Sequence, residues 1–160
     1  MSRPHLSDLG TALSLLSRVP VPVDHTHAGA RAADAAWAYP VIGAGLAALA
    51  GAMGWALWVL GVPAGPVAAV VLAAQVMLTG ALHEDGLADS ADGLWGGWDP
   101  ARRLEIMRDS RIGAYGVLAI CGSFLLRWSC LVALLNAGGP AARCLGLIAT
   151  GAVSRGAMVV

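Results

Sequence analysis

Residues 41–60 read VIGAGLAALAGAMGWALWVL, a run without any charged side chain. At 1.5 Å of rise per residue, a helix of this length measures about 30 Å, the thickness of the hydrocarbon core of a bilayer. Trp37, Tyr39 and Pro40 precede the run, and aromatic residues are typical of the position where a span enters the headgroup region. Gly and Ala recur along it, which lets helices pack closely in lipid. The stretch therefore predicts a transmembrane helix.

Further apolar segments follow at residues 66–82, 112–135 and 143–160. Residues 61–65 carry Gly and Pro turn signals, so the first two spans are predicted to form a hairpin. The composition agrees, with 58% hydrophobic and 12% charged residues and a mean hydropathy of +0.70, whereas soluble proteins average about 25% charged residues. We predict an all-α fold, a polytopic integral membrane helical bundle in which residues 1–160 form a single membrane domain.

The chain stops at Val159 and Val160 inside an apolar run. We therefore expect residues 1–160 to be the N-terminal part of a longer protein.

The N-terminal segment has a different pattern. Residues 6–19 read LSDLGTALSLLSRV, with leucines at helical spacing and polar residues between them. The segment is too polar to span a bilayer, so we predict an amphipathic helix at the membrane interface. The alternative is a packing helix of a soluble cap. Residues 23–36 are polar, and we predict a loop there.

The distribution of arginine predicts the orientation in the membrane. Arg3, Arg18 and Arg31 precede the predicted hairpin, four arginines follow it within residues 102–111, and its turn carries no charge. By the positive-inside rule, residues 1–36 and 83–111 are cytoplasmic. The net charge of zero gives no bulk electrostatic reason to expect nucleic-acid binding.

Residues 83–93 read HEDGLADSADG and contain four of the ten acidic residues of the chain. We call them the acidic run. On a helix, Asp85, Asp89 and Asp92 fall within a wedge of roughly 60°. No Lys or Arg is interleaved to neutralise the three carboxylates, and Mg²⁺ is commonly bound through carboxylates plus substrate phosphates. We therefore predict Asp85, Asp89 and Asp92 as magnesium ligands; the alternative is a solvated acidic helix face.

Residues 99–111 read DPARRLEIMRDSR, which we call the arginine stretch. Asp99 suits a helix cap and Pro100 the first helical position. Guanidinium groups pair with phosphate in a bidentate fork. The predicted phosphate ligands are Arg102, Arg103, Arg108 and Arg111, together with Arg155 of the last apolar segment. The alternative is a set of structural or juxtamembrane arginines. Arg127 and Arg155 are also charges at possible bilayer depth, which usually face a bundle interior.

Two segments resemble a known family. Residues 79–93 (TGALHEDGLADSADG) and 103–116 (RLEIMRDSRIGAYG) are similar to the signature of cobalamin synthase, adenosylcobinamide-GDP ribazoletransferase. Weaker similarities lie at residues 16–22 (LSRVPVP) and 39–43 (YPVIG). One departure is Glu84, which stands where we expect an apolar residue, so no family role is carried onto it.

The resemblance implies a magnesium-dependent phosphotransferase of the bacterial inner membrane, with its active site facing the cytoplasm. Its substrates would be adenosylcobinamide-GDP and α-ribazole or the 5′-phosphate of α-ribazole. A ribose hydroxyl would attack the phosphate that bears the cobinamide, GMP would leave, and adenosylcobalamin or its 5′-phosphate would form. Asp92 and Asp109 are the catalytic candidates, and Asp109 could ligate metal, orient an arginine or accept the hydroxyl proton.

Two alternatives stay open at this point. A CDP-alcohol phosphotransferase also uses an Asp-Gly start and further aspartates with magnesium in membrane helices, but its pattern has Ala-Arg where this chain has Ala88 and Asp89. A transporter or purely structural membrane protein would use Arg127 and Arg155 as pathway charges. It would not explain the acidic run.

Overall fold

The computed structural model describes residues 4–137 and 139–159, and every regular element within those ranges is helical. The α-helices are α1 (Ser7–Leu16), α2 (His25–Arg31), α3 (Tyr39–Val59), α4 (Ala64–Thr79), α5 (Leu82–Gly96), α6 (Pro100–Arg108), α7 (Ala114–Ala137) and α8 (Pro140–Gly156). A 3₁₀ helix, Asp34–Ala38, leads into α3, and another, Ala157–Val159, follows α8. The prediction of an all-α fold is confirmed for this part of the chain.

The helices differ in their capacity to span a bilayer. Asp34–Val59 and Ala114–Ala137 are each long and apolar enough to do so. Helices α4 and α5 reach that length only as a pair, which is bent by 88°. The predicted segments at 41–60, 66–82, 112–135 and 143–160 overlap α3, α4, α7 and α8 within the described residues. Helix α8, with 17 residues, is not among the candidate spans, so a span at 143–160 stays a prediction. Within residues 4–137 and 139–159 there are thus two candidate spans, or three if the bent pair counts as one.

Small residues hold the long helices together. Helix α3 packs against both α4 and α8, and α7 packs against α4 and α5. A Cβ atom added at Gly43 of α3 would overlap the carbonyl oxygen of Gly151 in α8, and one added at Gly54 would overlap Val71 of α4. The backbones therefore approach closely at these glycines. The buried core between the helices is built from Ala50, Val67, Ala68, Val71, Leu135 and Leu147.

A left-handed turn separates α4 from α5. Gly80 has φ +65° and Ala81 has φ +60°. The amide of Ala81 donates to the carbonyl of Val76 at 2.9 Å, which closes the end of α4. Arg18 lies against Gly80, and its amide donates to the carbonyl of Leu78 at 2.7 Å. The turn directs α5 along the first half of α7 instead of continuing α4.

The N-terminal region is more ordered than its sequence predicts. The prediction of a loop over residues 23–36 is wrong, because α2 and the start of the 3₁₀ helix lie there. Asp8 of α1 is fully buried and accepts hydrogen bonds from Arg31 Nε at 2.8 Å and Trp37 Nε1 at 3.0 Å. The polar side chain of Arg31 is thus held by Asp8, 23 residues earlier in the sequence. The sequence pattern of residues 23–36 does not reveal this distant contact. Helix α1 buries one face, with Ala12 and Leu16, against the protein.

Candidate active site

The acidic run forms most of α5, as its spacing predicts. Asp85 is exposed and Asp89 is half-buried. They are four residues apart on one helix, so their Cβ atoms lie about 6 Å from each other on the same face. Asp92 is the third predicted ligand, and only 8% of its surface is exposed. The three carboxylates therefore lie on the same helix but differ in their exposure to solvent.

Asp92 joins α5 to α7. Its Oδ2 accepts the backbone N–H of Gly113 at 2.7 Å, and its Oδ1 accepts the backbone N–H of Gly116 at 2.9 Å. The first amides of a helix have no partner within that helix, so the carboxylate satisfies two of them and complements the positive end of α7. Asp92 thereby fixes the start of α7 against the middle of α5. Its predicted roles as a metal ligand and a catalytic group stay predictions.

Magnesium binding by the carboxylates of α5 stays a prediction. Among the described residues, no group of three or more His, Cys, Asp and Glu side chains is placed to hold a metal ion. Mg²⁺ is, however, usually bound by one or two carboxylates, with waters and substrate phosphates as its other ligands. Asp85 and Asp89 meet that requirement, while both oxygens of Asp92 already accept amide hydrogens.

The arginine stretch forms α6. Asp99 caps this helix as predicted, because its side chain accepts the backbone N–H of Arg102 at 2.9 Å, and Pro100 begins the helix. Arg102 pairs with Glu105 at 2.7 Å on the surface. Arg103 donates from Nε to the carbonyl of Gly97 at 3.0 Å, which ties α6 to the end of α5. The structure thus gives Arg102 and Arg103 intramolecular partners, and phosphate binding by them stays a prediction.

Beyond α6, Asp109 and Arg111 form a bidentate pair. Arg111 Nη2 donates to Asp109 Oδ2 at 2.7 Å, and Arg111 Nε donates to both carboxylate oxygens at 3.1 Å. The hydrogen bond from Arg111 lowers the pKa of Asp109 below its ordinary value, and the pKa of Arg111 is raised by the same contact. Arg108 is exposed and borders a shallow groove with Glu105 and Asp109. The pair lies two residues before Gly113, the first partner of Asp92.

A second group of charged residues lies between the long helices, in a cavity of about 330 Å³ that we call the polar chamber. Arg127 of α7 donates to Glu84 Oε1 at 2.9 Å and to Gln75 Oε1 at 3.1 Å. Arg155 of α8 and His83 of α5 line the same cavity. Of the predicted phosphate ligands, only Arg155 is here. Their charge at possible bilayer depth predicted that Arg127 and Arg155 face the interior of the bundle. The sequence alone did not predict that Arg127 would form an ion pair with Glu84.

The described part of the chain thus combines apolar helices with a carboxylate-bearing helix and an adjoining arginine helix. The chain belongs to the cobalamin-5-phosphate synthase family, CobS, which it matches over residues 8–160. This confirms the resemblance seen at residues 79–93 and 103–116.

Curated relatives agree with the family. The chain is 45% identical over 154 residues to the adenosylcobinamide-GDP ribazoletransferase of Mesorhizobium japonicum, covering 96% of this chain and 58% of that protein. It is 49% identical over 132 residues to the enzyme of the same name from Bradyrhizobium diazoefficiens, covering 82% of this chain and 50% of the relative. The chain therefore spans between half and three-fifths of the length of these relatives. No solved structure matches it.

Proposed function

We propose that the protein transfers the adenosylcobinamide-phosphate group of adenosylcobinamide-GDP to α-ribazole or α-ribazole 5′-phosphate. GMP is released, and adenosylcobalamin or its 5′-phosphate forms. The observation that carries the proposal is the 45% identity to a named adenosylcobinamide-GDP ribazoletransferase across 96% of this chain. The aligned region includes both the acidic run and the arginine stretch.

The reaction is a displacement at phosphorus. The oxygen of a ribose hydroxyl bonds to the phosphorus that bears the cobinamide, the bond from that phosphorus to the oxygen of the GMP leaving group breaks, and the hydroxyl proton passes to a base. Such reactions depend mostly on positioning and on neutralisation of phosphate charge. We propose Asp85 and Asp89 as holders of Mg²⁺, which when bound would neutralise phosphate oxygens. Arg108, the last residue of α6, and Arg111, which follows it, supply guanidinium groups at the surface.

Asp109 is our candidate base. Paired with Arg111, its lowered pKa makes it a weak base. A substrate phosphate that draws the Arg111 side chain away would remove its three hydrogen bonds to the carboxylate, and the pKa of Asp109 would rise toward its ordinary value. Phosphate binding and base activation are then linked through one residue. Asp92 contributes by holding α5 and α7 in register.

We further propose that the protein is a multi-pass protein of the bacterial inner membrane, with α5 and α6 on the cytoplasmic side and α1 at the interface. Large apolar side chains on α7, among them Leu118, Leu125 and Leu126, are each about two-thirds exposed, which is the exposure expected for contact with lipid. Arginines flank the predicted hairpin on one side only. A charged, water-soluble substrate would reach α5 from that side.

Release of GMP from adenosylcobinamide-GDP tests the function. The proposal requires release that depends on Mg²⁺ and on a ribazole acceptor, either α-ribazole or α-ribazole 5′-phosphate, and that stops when EDTA is added. Membership in the CobS family disfavours a CDP-alcohol phosphotransferase, which would instead release CMP from a CDP-alcohol, and it disfavours a transporter, which would release neither nucleotide.

A further inference from the structure

Arg127 of α7 contacts both arms of the bent helix pair formed by α4 and α5. Its Nη2 donates to Gln75 Oε1 in α4 at 3.1 Å, and its Nη1 donates to Glu84 Oε1 in α5 at 2.9 Å. The two partners lie on opposite sides of the turn at Gly80 and Ala81, where the chain bends by 88°. Because a guanidinium group is planar and rigid, this one side chain fixes the separation of the two arms.

One residue of the turn is in an unfavourable conformation. Ala81 has φ +60°, a region that brings the Cβ atom of an L-residue too close to the following carbonyl oxygen. Such a conformation persists only where surrounding contacts hold the backbone in place. The backbone N–H of Arg18 supports the α4 side by donating to the carbonyl of Leu78 at 2.7 Å. The contacts of Arg127 extend that support across the turn to α5.

Helix α5 is attached to α7 at two points. Glu84 accepts from Arg127 near one end of α5, and Asp92 accepts two backbone amides at the start of α7. The carboxylates proposed to hold Mg²⁺, Asp85 and Asp89, lie between these points. Along the helix axis, Asp85 is about 10 Å from Asp92 and Asp89 is about 4.5 Å from it. If the Arg127 contact is lost, a pivot of roughly 10° about Asp92 moves Asp85 by about 2 Å and Asp89 by about 1 Å.

The ion pair between Arg127 and Glu84 suits a positioning role. The Glu84 side chain is 13% exposed and the Arg127 side chain is 36% exposed. The attraction within a shielded pair is largely offset by the loss of hydration, and in some proteins such a pair specifies register more than it adds stability. Arg127 also lies over the ring of Phe124 in its own helix, at 5.5 Å. This contact orients the guanidinium group toward the bend.

We propose that Arg127 is a positioning residue, which acts through Gln75 and Glu84 to hold Asp85 and Asp89 at the spacing that a divalent cation requires. This rests on the proposed function and deepens it, because it adds to the reaction a residue that touches neither substrate nor metal. Its effect reaches the two aspartates through the rigid backbone of α5.

The affinity for Mn²⁺, measured by electron paramagnetic resonance on the full protein in detergent without substrate, tests the proposal. Mn²⁺ prefers the same octahedral oxygen ligands as Mg²⁺. Arg127→Gln should weaken Mn²⁺ binding by roughly 10-fold or more, the usual effect of losing a residue that orients metal ligands. Electrostatics alone predict the opposite, because removal of a positive charge near two carboxylates strengthens cation binding.

Arg143→Gln is the matched control and should keep the wild-type Mn²⁺ affinity. Arg143 is also partly buried and also lies over an aromatic ring, that of Trp58 at 4.6 Å. It borders the apolar cavity between α3, α4 and α8, away from the bend. A loss of affinity in this variant equal to that in Arg127→Gln overturns the proposal.

An exchange of the two charged residues separates positioning from direct contact with a ligand. The double variant Glu84→Arg with Arg127→Glu restores the ion pair in reverse, and the Gln75 amide, which both donates and accepts, bonds either side chain. Positioning predicts that the exchange recovers most of the Mn²⁺ affinity lost in Arg127→Gln. A wild-type Tm in the double variant without recovered affinity overturns the proposal, since it assigns Glu84 or Arg127 to the ligand itself.

If Arg127→Gln does not purify, Gln75→Leu breaks only the α4 contact and leaves every charge in place. It should weaken Mn²⁺ binding by about 2-fold or more, the effect of one neutral hydrogen bond. Unchanged Mn²⁺ affinity in the variant that purifies, with or without a lower Tm, overturns the proposal. So does a wild type without saturable Mn²⁺ binding, because there is then no site to position.

The outcomes separate the two proposals. Mn²⁺ binding that depends on Arg127, without release of GMP from adenosylcobinamide-GDP, would contradict the proposed function and leave the positioning role intact. Release of GMP by the wild type, together with unchanged Mn²⁺ affinity in Arg127→Gln, would contradict only the positioning role.

Discussion

Asp92 accepts the backbone N–H of Gly116 at 2.9 Å, and this buried contact joins the acidic helix α5 to the apolar helix α7. The other carboxylate oxygen holds Gly113, which follows Arg111 by two residues. A single side chain therefore sets the distance between the carboxylates of α5 and the arginines that precede α7. Site geometry depends on it whether or not Asp92 itself touches a substrate.

Gly116→Ala should destabilise the protein. A Cβ atom at this position would overlap Asp92 Oδ2 and come within 3.1 Å of Ala88, so the cap must break or α5 must shift. We expect a loss of about 1–3 kcal/mol, the cost of leaving a buried polar group without its partner, measured as a lower Tm in detergent. Gly122→Ala in the same helix is the control, because its Cβ meets nothing within 4 Å. Equal Tm values for both variants would contradict the role of Asp92 as a cap.

Asp85→Asn and Asp89→Asn should each abolish magnesium-dependent activity with little change in Tm. Each substitution keeps the size of the side chain and removes the charge that attracts the cation. Asp92→Asn should lower Tm as well as activity, because an amide group would place N–H donors against the N–H groups of α7. Activity assays over a range of Mg²⁺ concentrations, with melting curves on the same samples, separate the two classes. Near-normal activity in the Asp85 and Asp89 variants would remove the metal assignment.

The fold was predictable from the sequence where it depends on the length of apolar segments and on side chains that cap a helix end. The run at residues 41–60 and the Asp99 cap needed no tertiary information. The 88° bend after α4 was not predictable, since Ala81 adopts a left-handed conformation that an alanine seldom takes. The helix over His25–Arg31 was missed for a related reason, because a contact between distant residues, Asp8 and Arg31, anchors it.

Arg108→Lys and Arg111→Lys should each lower kcat/KM for adenosylcobinamide-GDP by roughly 10-fold or more, equivalent to ~1.4 kcal/mol of transition-state stabilisation. Lysine keeps the charge and loses the planar fork that matches phosphate. An arginine held only by lipid headgroups would accept lysine. Wild-type kcat/KM in both variants would therefore shift phosphate binding to Arg102, Arg103 or Arg155.

Cysteine labelling in intact cells tests the orientation. On a background without the three native cysteines, Trp98→Cys and Leu60→Cys place probes at positions that are 96% and 78% exposed. We expect a membrane-impermeant maleimide to label position 60 and to leave position 98 unlabelled until the cells are opened, because the arginines flank only the side of residue 98. The reverse pattern would invert the topology.

Asp8→Asn should destabilise the protein in a pH-dependent way. The hydrogen bond from Arg31, followed by those from Trp37 and His5, lowers the pKa of Asp8. A carboxyl with a depressed folded pKa contributes stability above its unfolded pKa of about 3.9, and loses it as the pH falls through the folded value. The Tm difference between wild type and Asp8→Asn should therefore be full at pH 7 and shrink below about pH 4. A pH-independent difference would contradict the ionised pair.

Less of the site than of the fold was predictable. The spacing of Asp85 and Asp89 placed them on one helix face, but only tertiary structure shows that Asp92 turns to α7. Arg155 was a candidate phosphate ligand on charge alone. Its chamber depends on five helices that meet at residues far apart in sequence, and Glu84 was set aside because it departs from the family pattern.

The most direct test of the central claim is the stoichiometry of products from adenosylcobinamide-GDP and α-ribazole 5′-phosphate, separated by chromatography after reaction with the full protein in detergent and Mg²⁺. The account predicts one GMP for each adenosylcobalamin 5′-phosphate formed, and no GMP when the ribazole is omitted or when Asp85→Asn replaces the wild type. GMP release without the ribazole acceptor, or no release with both substrates present, would contradict it.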